Sequence, residues 1–288
     1  MNNKEFDLYM PEVDKILTEA LHEDVGSGDI TTRSTVAPEK RAHGRYIAKE
    51  SGVLCGLFIC ERVFSLVGGD VKFTPLFSEG DFVNKGDVIA TVEGNARNIL
   101  VGERVGLNLL QHMSGIATMT KKTVDAVKGT NVKIADTRKA TPGLRILEKY
   151  AVRVGGGTNH RFNLSDGVLI KDNHIIASGS IKNAVASAKK NVPHTVKIEV
   201  ETENFDQINE ALEAGADIIM FDNMSTDDMK KAVGIIGGRA LTEASGNMGD
   251  KSSDELLSVA KTGVDIISVG ALTHSVHAMD ISLKLSID

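Results

Sequence analysis

The sequence is poor in cysteine and in long apolar runs, and each shortage excludes a class of protein. Its 288 residues hold two cysteines, Cys55 and Cys60, which are too few for a disulfide framework or a four-ligand zinc site. No apolar run approaches the roughly 18 residues that a membrane-spanning helix needs. The first ten residues are polar and acidic, unlike a secretory signal. We therefore expect a cytoplasmic enzyme or binding protein.

Positive charge is also scarce overall, but it is concentrated in one segment. Lysine and arginine number 33 against 39 acids, a formal net charge of −6, which argues against a nucleic-acid-binding surface. Residues 133–174 nevertheless contain eight lysines and arginines and four acids, a local charge of +4 that leaves −10 for the rest. A basic pocket in an acidic protein favours a small, multiply charged anion as ligand.

Two patterns of apolar residues divide the chain. Short alternating runs between about 41 and 100 predict a β-rich region around a helix at 57–67, and residues 25–36 are typical of a loop. A long helical pattern follows at 97–127, with an expected break at Gly115. Beyond residue 130, buried strands recur at the spacing of one βα unit, which predicts a parallel sheet or barrel. The six predicted strands are 132–135, 167–170, 196–200, 217–221, 240–244 and 265–269.

Polar residues follow each predicted parallel strand, where barrel enzymes carry their chemistry. Glu201 and Asp222 suit Mg²⁺ or sugar hydroxyls, although such acids also form simple salt bridges. Ser245-Gly246 and Gly270-Ala271 suit phosphate, since backbone amides at helix starts bind anions. Lys139 and Lys171 follow two other strands and suit either an electrostatic clamp for an anion or Schiff-base chemistry.

Residues 78–94 are similar to the β-scaffold of biotinyl and lipoyl carrier domains. Those domains modify a lysine in the turn that follows such a segment, whereas here the following residues are GNARNIL. Lys85 lies in an earlier turn, out of that register. We therefore expect a scaffold without carrier chemistry, and an intact-mass measurement would detect any attached group.

One long stretch resembles a known family. Residues 135–174, ADTRKATPGLRILEKYAVRVGGGTNHRFNLSDGVLIKDNH, resemble the signature region of the quinolinate phosphoribosyltransferases, which are type II phosphoribosyltransferases. Further similar pieces run in order through nearly the whole chain: LHEDVGSGDITT, ERVGLNLLQHMSGIAT, IEVETENFDQ, GADIIMFDN, EASGN and DIISVGALTHS.

The resemblance implies an α/β fold with two domains. An N-terminal α/β sandwich would take residues 1–112, and an incomplete α/β barrel of about seven strands would take residues 113–272. Residues 273–288 would pack back onto the first domain as helix. The six strands that the pattern predicts leave one more to find between 140 and 166.

The resemblance also implies a reaction. Quinolinate and phosphoribosyl pyrophosphate would give nicotinate mononucleotide, pyrophosphate and CO₂, a step of NAD biosynthesis, with Mg²⁺ as cofactor in a homodimer or larger homo-oligomer. Nicotinate phosphoribosyltransferase is the alternative, but the wealth of cations favours a substrate with two carboxylates. The implied site residues are Arg104 (donated in trans), Arg138, Lys139, His160, Arg161 and Lys171 for the dicarboxylate; Glu201 and Asp222 for ribose and metal, the metal directly or through water; and Ser245, Gly246, Gly270 and, more weakly, His274 for phosphate. Lys139, Lys171, Glu201 and Asp222 would be the catalytic residues among them.

Overall fold

A computed structural model describes residues 10–286 of the chain, which form two compact units. The first unit contains residues 10–121, 141–156 and 276–286, and the second contains residues 122–140 and 157–275. The fold class is the one expected, a mixed α/β protein with a β-rich unit and a parallel, incomplete barrel.

An antiparallel four-stranded sheet in the order β12-β1-β5-β3 organises the first unit. A smaller sheet pairs β2 with β4. The strands are β1 Arg41–Ala48, β2 Gly52–Val53, β3 Lys72–Pro75, β4 Phe82–Val83, β5 Val88–Asn95 and β12 Ile281–Ser286, and the helices are α1 Met10–Val25, α2 Ile30–Thr35, α3 Leu57–Val67, α4 Ala96–Ala126 (which ends in the second unit) and α5 Arg145–Val154.

Alternation along β1 places one face of this sheet in an apolar core. Every second residue from Ala42 to Ala48 is buried, as expected for a strand with one covered face. Tyr46 is fully buried and meets Phe73 of β3 edge to face, with ring centroids 5.3 Å apart. Residues of α3 and α4, among them Phe64 and Ile99, belong to the same core.

Six parallel strands in the order β6-β11-β10-β9-β8-β7 build the second unit. Helices lie between successive strands along the chain, so the carboxyl ends of the strands meet at one end of the unit. The strands are β6 Lys133–Ala135, β7 Val168–Ile170, β8 Ile198–Thr202, β9 Ile218–Asp222, β10 Leu241–Ser245 and β11 Ile266–Ser268. The helices are α6 Asp172–Ser178, α7 Ile181–Asn191, α8 Phe205–Ala214, α9 Thr226–Ile236, α10 Ser253–Ala260 and α11 Ala271–His274.

The seventh strand position of the barrel holds a single residue. Thr158 makes a parallel bridge to Ala135 of β6, on the side away from β11. Within the region expected to hide a strand, residues 145–154 form helix α5, and residues 141–156 belong to the first unit. One bridging residue leaves no period in the sequence, which is why the pattern did not show it.

Three local predictions are corrected. Residues 30–35 form a helix, because Asp29 accepts a hydrogen bond from the Thr32 backbone N–H and caps it. Helix α4 runs through Gly115 without a break. A Cβ at Gly115 would lie 2.1 Å from the His277 carbonyl oxygen, so this glycine permits close backbone packing. Residues 281–286, expected as helix, form β12 and pair antiparallel with β1.

A membrane span is not among the elements found. Within residues 10–286, the helices are too short or too polar to cross a bilayer.

Candidate active site

A cavity of about 530 Å³ lies at the carboxyl ends of the parallel strands in the second unit. Nearly all of its lining comes from the loops and strand ends that the sequence indicated. The lining residues are Thr137, Arg138, Lys139, His160, Arg161, Leu169, Lys171, Glu201, Met220, Asp222, Asn223, Glu243, Ser245, Gly246, Asn247 and Ser268. The structure thus brings together seven predicted site residues that are far apart in sequence, and both residues of the Ser245-Gly246 pair.

The loop after β6 supplies Arg138 and Lys139. The Thr137 hydroxyl accepts a hydrogen bond from the Lys139 backbone N–H at 3.1 Å. The Thr273 hydroxyl donates to the Lys139 carbonyl oxygen at 2.6 Å. Both ends of the Lys139 backbone are therefore held while its side chain stays exposed to a ligand.

The loop around residue 160 is held by a buried carboxylate. Asp136 is fully buried and accepts hydrogen bonds from the Asn159 side-chain amide at 2.6 Å and the His160 backbone N–H at 2.8 Å. Arg161 donates from Nη1 to the Gly167 carbonyl oxygen at 2.8 Å. Burial and the nearby Arg138 guanidinium lower the pKa of Arg161, as expected where cations are crowded together.

Lys171 ends β7 and forms an ion pair with Glu201 at the end of β8. Its backbone N–H donates to His174 Nδ1 at 3.0 Å, which fixes the start of α6. That arrangement favours an electrostatic clamp over Schiff-base chemistry.

Four cations that line the cavity, Arg138, Lys139, Arg161 and Lys171, form what we call the cationic wall. Next to it lies an acidic pair, Glu199 and Glu243, that was not predicted from the sequence. Glu199 and Glu243 are almost completely buried, with exposures of 4% and 1%. His160 Nε2 lies 3.1 Å from Glu199 Oε2 and 3.7 Å from Glu243 Oε1. Each glutamate stands two residues before a predicted site residue on its strand, so it faces the same side. That period of two was the available signal, but both lie in runs that the sequence reading assigned to buried strands.

These three side chains have the composition of a metal site, but their hydrogen bonds do not suit one. The Arg161 backbone N–H donates to His160 Nδ1 at 2.7 Å, so the proton of a neutral imidazole lies on Nε2. That N–H then donates to Glu199 and leaves no lone pair for a metal. A ligating histidine instead donates from its second nitrogen. In this arrangement His160 is a hydrogen-bond donor to Glu199.

The two glutamates differ in their hydrogen bonds. Glu199 accepts a hydrogen bond from His160 Nε2, while Oε1 of Glu243 has no hydrogen-bond partner among residues 10–286. Burial, and then the charge of Glu199, raise the pKa of Glu243 to about 7. Two buried carboxylates this close favour a single negative charge between them.

The opposite side of the cavity is formed by loops in left-handed backbone conformations. Asn223 and Asn247 have φ angles of 55° and 52°, and Gly246 has a φ of 92°. The Asn247 side-chain amide donates to Asn223 Oδ1 at 3.2 Å, and a Cβ at Gly246 would lie 2.2 Å from that same oxygen. Only glycine fits there without displacing Asn223.

Gly270 and His274, two residues predicted to bind phosphate, lie beside Lys139 but do not line the cavity. The position of a Cβ on Gly270 is 3.1 Å from the His274 ring and 3.3 Å from Lys139 Cδ. His274 is exposed, and its Nδ1 lies 2.8 Å from the Ser275 hydroxyl. Gly270 begins the short helix α11.

Oxygen donors suited to a magnesium ion are present where expected. Glu201 and Asp222 line the same cavity, and Asn223 adds an amide oxygen. Mg²⁺ is usually held by one or two carboxylates together with substrate phosphates, so this donor set fits it. Arg104 lies on α4 of the first unit with its side chain exposed. Its donation to a neighbouring subunit stays a prediction.

Comparison with known proteins places the chain among members of one family. Residues 116–284 match the family described as quinolinate phosphoribosyl transferase, C-terminal domain, and residues 29–114 match its N-terminal domain. A probable nicotinate-nucleotide pyrophosphorylase (carboxylating) of Bacillus subtilis is 45% identical over 276 residues, covering 96% of this chain and 94% of that protein. A relative of the same name in Methanocaldococcus jannaschii is 45% identical over 280 residues, covering 94% and 96%. The crystal structure of NadC from Streptococcus pyogenes superposes with a TM-score of 0.90 at 42% identity, covering 100% of this chain and 98% of that one.

Proposed function

The chain belongs to the quinolinate phosphoribosyltransferase family, and from this premise we propose that it transfers a phosphoribosyl group to quinolinate and removes CO₂. The substrates would be quinolinate and phosphoribosyl pyrophosphate, and the products nicotinate mononucleotide, pyrophosphate and CO₂, in NAD biosynthesis. The main support for this proposal is a single cavity lined by four cations, by the carboxylates of Glu201 and Asp222, and by the turn at Gly246.

The cations suit a substrate with two neighbouring carboxylates. Arg138, Lys139, Arg161 and Lys171 line the cavity together. Arginine offers planar paired donors that match a carboxylate, and lysine adds a compact charge. Holding both carboxylates fixes the ring plane and points the ring nitrogen at ribose C1. Positioning of this kind lowers the barrier without a side-chain nucleophile.

The opposite wall suits the phosphoribosyl group. Glu201 and Asp222 would bind the ribose hydroxyls and stabilise the positive charge that develops on the ribose as its bond to pyrophosphate breaks. Ser245 and the backbone around Gly246 would hold a phosphate group, with Gly270 and His274 next to them. The positive φ of Gly246 lets the backbone approach a ligand closely.

We assign the magnesium ion to Asp222 and Glu201, directly or through water. When bound, it would neutralise the charge of the departing pyrophosphate. Lys171 forms an ion pair with Glu201, which would keep this carboxylate oriented toward the cavity.

The bound product of transfer carries a pyridinium nitrogen beside a carboxylate. Loss of CO₂ leaves an electron pair on the ring carbon next to that positive nitrogen, which stabilises it. The cationic wall keeps the second carboxylate in place during this step. Nicotinate has one carboxylate, so this set of four cations favours quinolinate over it.

The assembly and location belong to the same proposal. We expect a cytoplasmic homodimer or larger homo-oligomer in which Arg104 of one subunit completes the site of another. Chains carrying Arg104→Ala and chains carrying Lys171→Ala should each be inactive alone. Mixing the two should restore part of the activity, and no recovery would contradict a shared site.

Incubation with quinolinate, phosphoribosyl pyrophosphate and Mg²⁺ tests the reaction directly. We expect CO₂, pyrophosphate and nicotinate mononucleotide in equal amounts. Turnover with nicotinate but not with quinolinate would overturn the proposed substrate. A lysine adduct trapped by borohydride would instead support a Schiff-base enzyme.

A further inference from the structure

A second cavity of about 260 Å³ lies at the opposite ends of the parallel strands. Residues at strand starts line it, among them Lys133, Lys197 and Ile266. It is large enough to hold several water molecules, and its charged side chains give them partners. Three residues line both cavities: His160, Arg161 and Glu243. The two spaces therefore meet at this layer of side chains.

Of these three residues, only Glu243 is suited to deliver a proton. Both ring nitrogens of His160 are engaged, one by the Arg161 backbone N–H and one by Glu199. An arginine guanidinium does not release its proton at neutral pH. Glu243 Oε1 has no hydrogen-bond partner among the described residues, and it lies 3.7 Å from His160 Nε2.

The proposed reaction needs such a proton. When the bond between ring carbon C2 and its carboxylate breaks, CO₂ departs and the electron pair stays on C2. A new C2–H bond must form before the product is nicotinate mononucleotide. Without a proton, the carbanion can recapture the CO₂ that it has just lost.

We propose that Glu243 is the acid that protonates C2 after CO₂ leaves, and that it regains its proton from water in the second cavity. The carboxyl O–H bond of Glu243 breaks, the electron pair on C2 takes the proton, and the resulting carboxylate is reprotonated by solvent. No oxidant, reductant or further co-reactant is required. This inference rests on the proposed function, because it assigns a residue to the decarboxylation.

The surroundings of Glu243 support this role. Burial and the charge of Glu199 raise its pKa, while His160 lowers it. Glu201 is the other carboxylate whose charge acts on Glu243, and it raises the pKa further. The carboxyl group therefore keeps a proton in the range where the enzyme would work, as a general acid must. Glu199, which accepts from His160, is a positioning residue in the same layer.

The experiment compares Glu243→Gln with wild type and with Glu203→Gln, the same change at an exposed carboxylate just past β8. Pyrophosphate and CO₂ are measured in the same reaction, from quinolinate labelled in its 2-carboxyl group. We expect Glu243→Gln to keep its quinolinate KM within about twofold and to release pyrophosphate normally in the first turnover. Its CO₂ release should fall by about 100-fold, since general acids contribute on this scale. Glu203→Gln should match wild type.

Two further measurements separate an acid from a structural residue. Labelled CO₂ added to Glu243→Gln should enter unconverted dicarboxylate faster than in wild type, because the carbanion persists. Glu243→Asp, which keeps the acid, should recover part of the CO₂ release even if the glutamine variant folds poorly. The proposal is overturned if CO₂ and pyrophosphate release fall together, if Glu243→Gln behaves as wild type, or if aspartate is no better than glutamine. Failure of wild type to release any CO₂ from quinolinate would instead overturn the proposed function, and the acid step with it.

Discussion

Both units contain carboxylates that are shielded from water, but these carboxylates differ in their hydrogen-bond partners. In the first unit, Glu79 accepts hydrogen bonds from the backbone N–H groups of Gly56 and Leu57, at 2.8 and 2.7 Å, and so caps α3. In the second unit, Glu199 and Glu243 are more deeply buried, and each leaves one oxygen without a hydrogen-bond partner among residues 10–286. Burial raises the pKa of Glu79 and of Glu243 alike.

The difference lies in what compensates for burial. The hydrogen bonds from the α3 backbone oppose the rise in the pKa of Glu79, so this carboxylate stabilises the fold as a helix cap. Glu243 instead lies near a second buried acid, Glu199, and its Oε1 atom has no hydrogen-bond partner among residues 10–286. A buried polar atom without a partner costs stability. A residue retained at such a cost points to a use in binding or catalysis.

The largest expected effect comes from breaking the charged pair in the second unit. Lys171→Ala removes a clamp cation and leaves Glu201 without its lysine. We expect kcat/KM for quinolinate to fall by about 100- to 1,000-fold, the scale of losing one charged contact to a reacting group. Lys72→Ala breaks an exposed pair with Glu93 in the first unit and should change activity by less than about twofold. Equal effects of the two substitutions would remove the distinction between the units.

Next in size is the loss of the cap in the first unit. Glu79→Ala leaves the first N–H groups of α3 without an acceptor and removes a contact at 3.5 Å to the Tyr150 hydroxyl. Urea unfolding should show a loss of about 2 kcal/mol. Glu79→Gln keeps an acceptor and should lose less. The quinolinate KM should stay unchanged in both variants, and a changed KM would contradict a purely structural role.

A further effect concerns pH. The folded-state pKa of Glu243 lies above the ordinary glutamate value of 4.5, so the folded protein holds a proton that the unfolded chain releases. This contribution to stability is complete below the unfolded pKa and is lost as pH rises through the folded pKa. Stability should therefore decline between about pH 4.5 and about pH 7, by on the order of 3 kcal/mol from this group. Unfolding of Glu243→Gln should show a shallower decline than wild type, and parallel curves would contradict the shift.

The smallest expected effect tests the glycine turn. Gly246→Ala is strained by its positive φ and by the close Asn223 side chain, whereas Gly86 of the first unit has a similar φ of 101° and open space around it. We expect Gly246→Ala to raise the KM for phosphoribosyl pyrophosphate by about tenfold, because the loop that we propose to bind phosphate is displaced. Gly86→Ala should lower stability slightly and leave that KM alone. Similar KM values for both variants would exclude the turn from the binding site.

The ends of the parallel strands could be predicted from the sequence because the buried strands recur at the spacing of one βα unit. Parallel strands share an end, so polar residues directly after each one converge, as Lys171, Glu201 and Asp222 do. Glu199 and Glu243 were missed because both occupy the middle of an apolar run. The period of two that separates them from Glu201 and Ser245 nevertheless places each on the same side of its strand as a predicted site residue.

The remaining errors also have local physical causes. Gly115 suggested a helix break, but its missing side chain serves an approach to the His277 backbone, which is distant in sequence. Thr158 occupies a strand position with one residue, too short to form a pattern. The role of His160 could not be read either, since its tautomer depends on the Arg161 backbone N–H.

The Thr158 bridge and β7 are the two ends of the row of strands, and no described strand pair joins them. Arg161 and Gly167 lie in the loop between these ends and are joined there by a side-chain hydrogen bond. The Arg161 side chain thus takes part in closing the barrel at a place where a further strand would have supplied backbone hydrogen bonds. A ligand that draws this guanidinium inward would compete with the closing contact, so occupancy of the cavity and the width of the seam should be thermodynamically linked. Arg161 would then couple the proposed binding of substrate to the contact between the two ends of the row of strands.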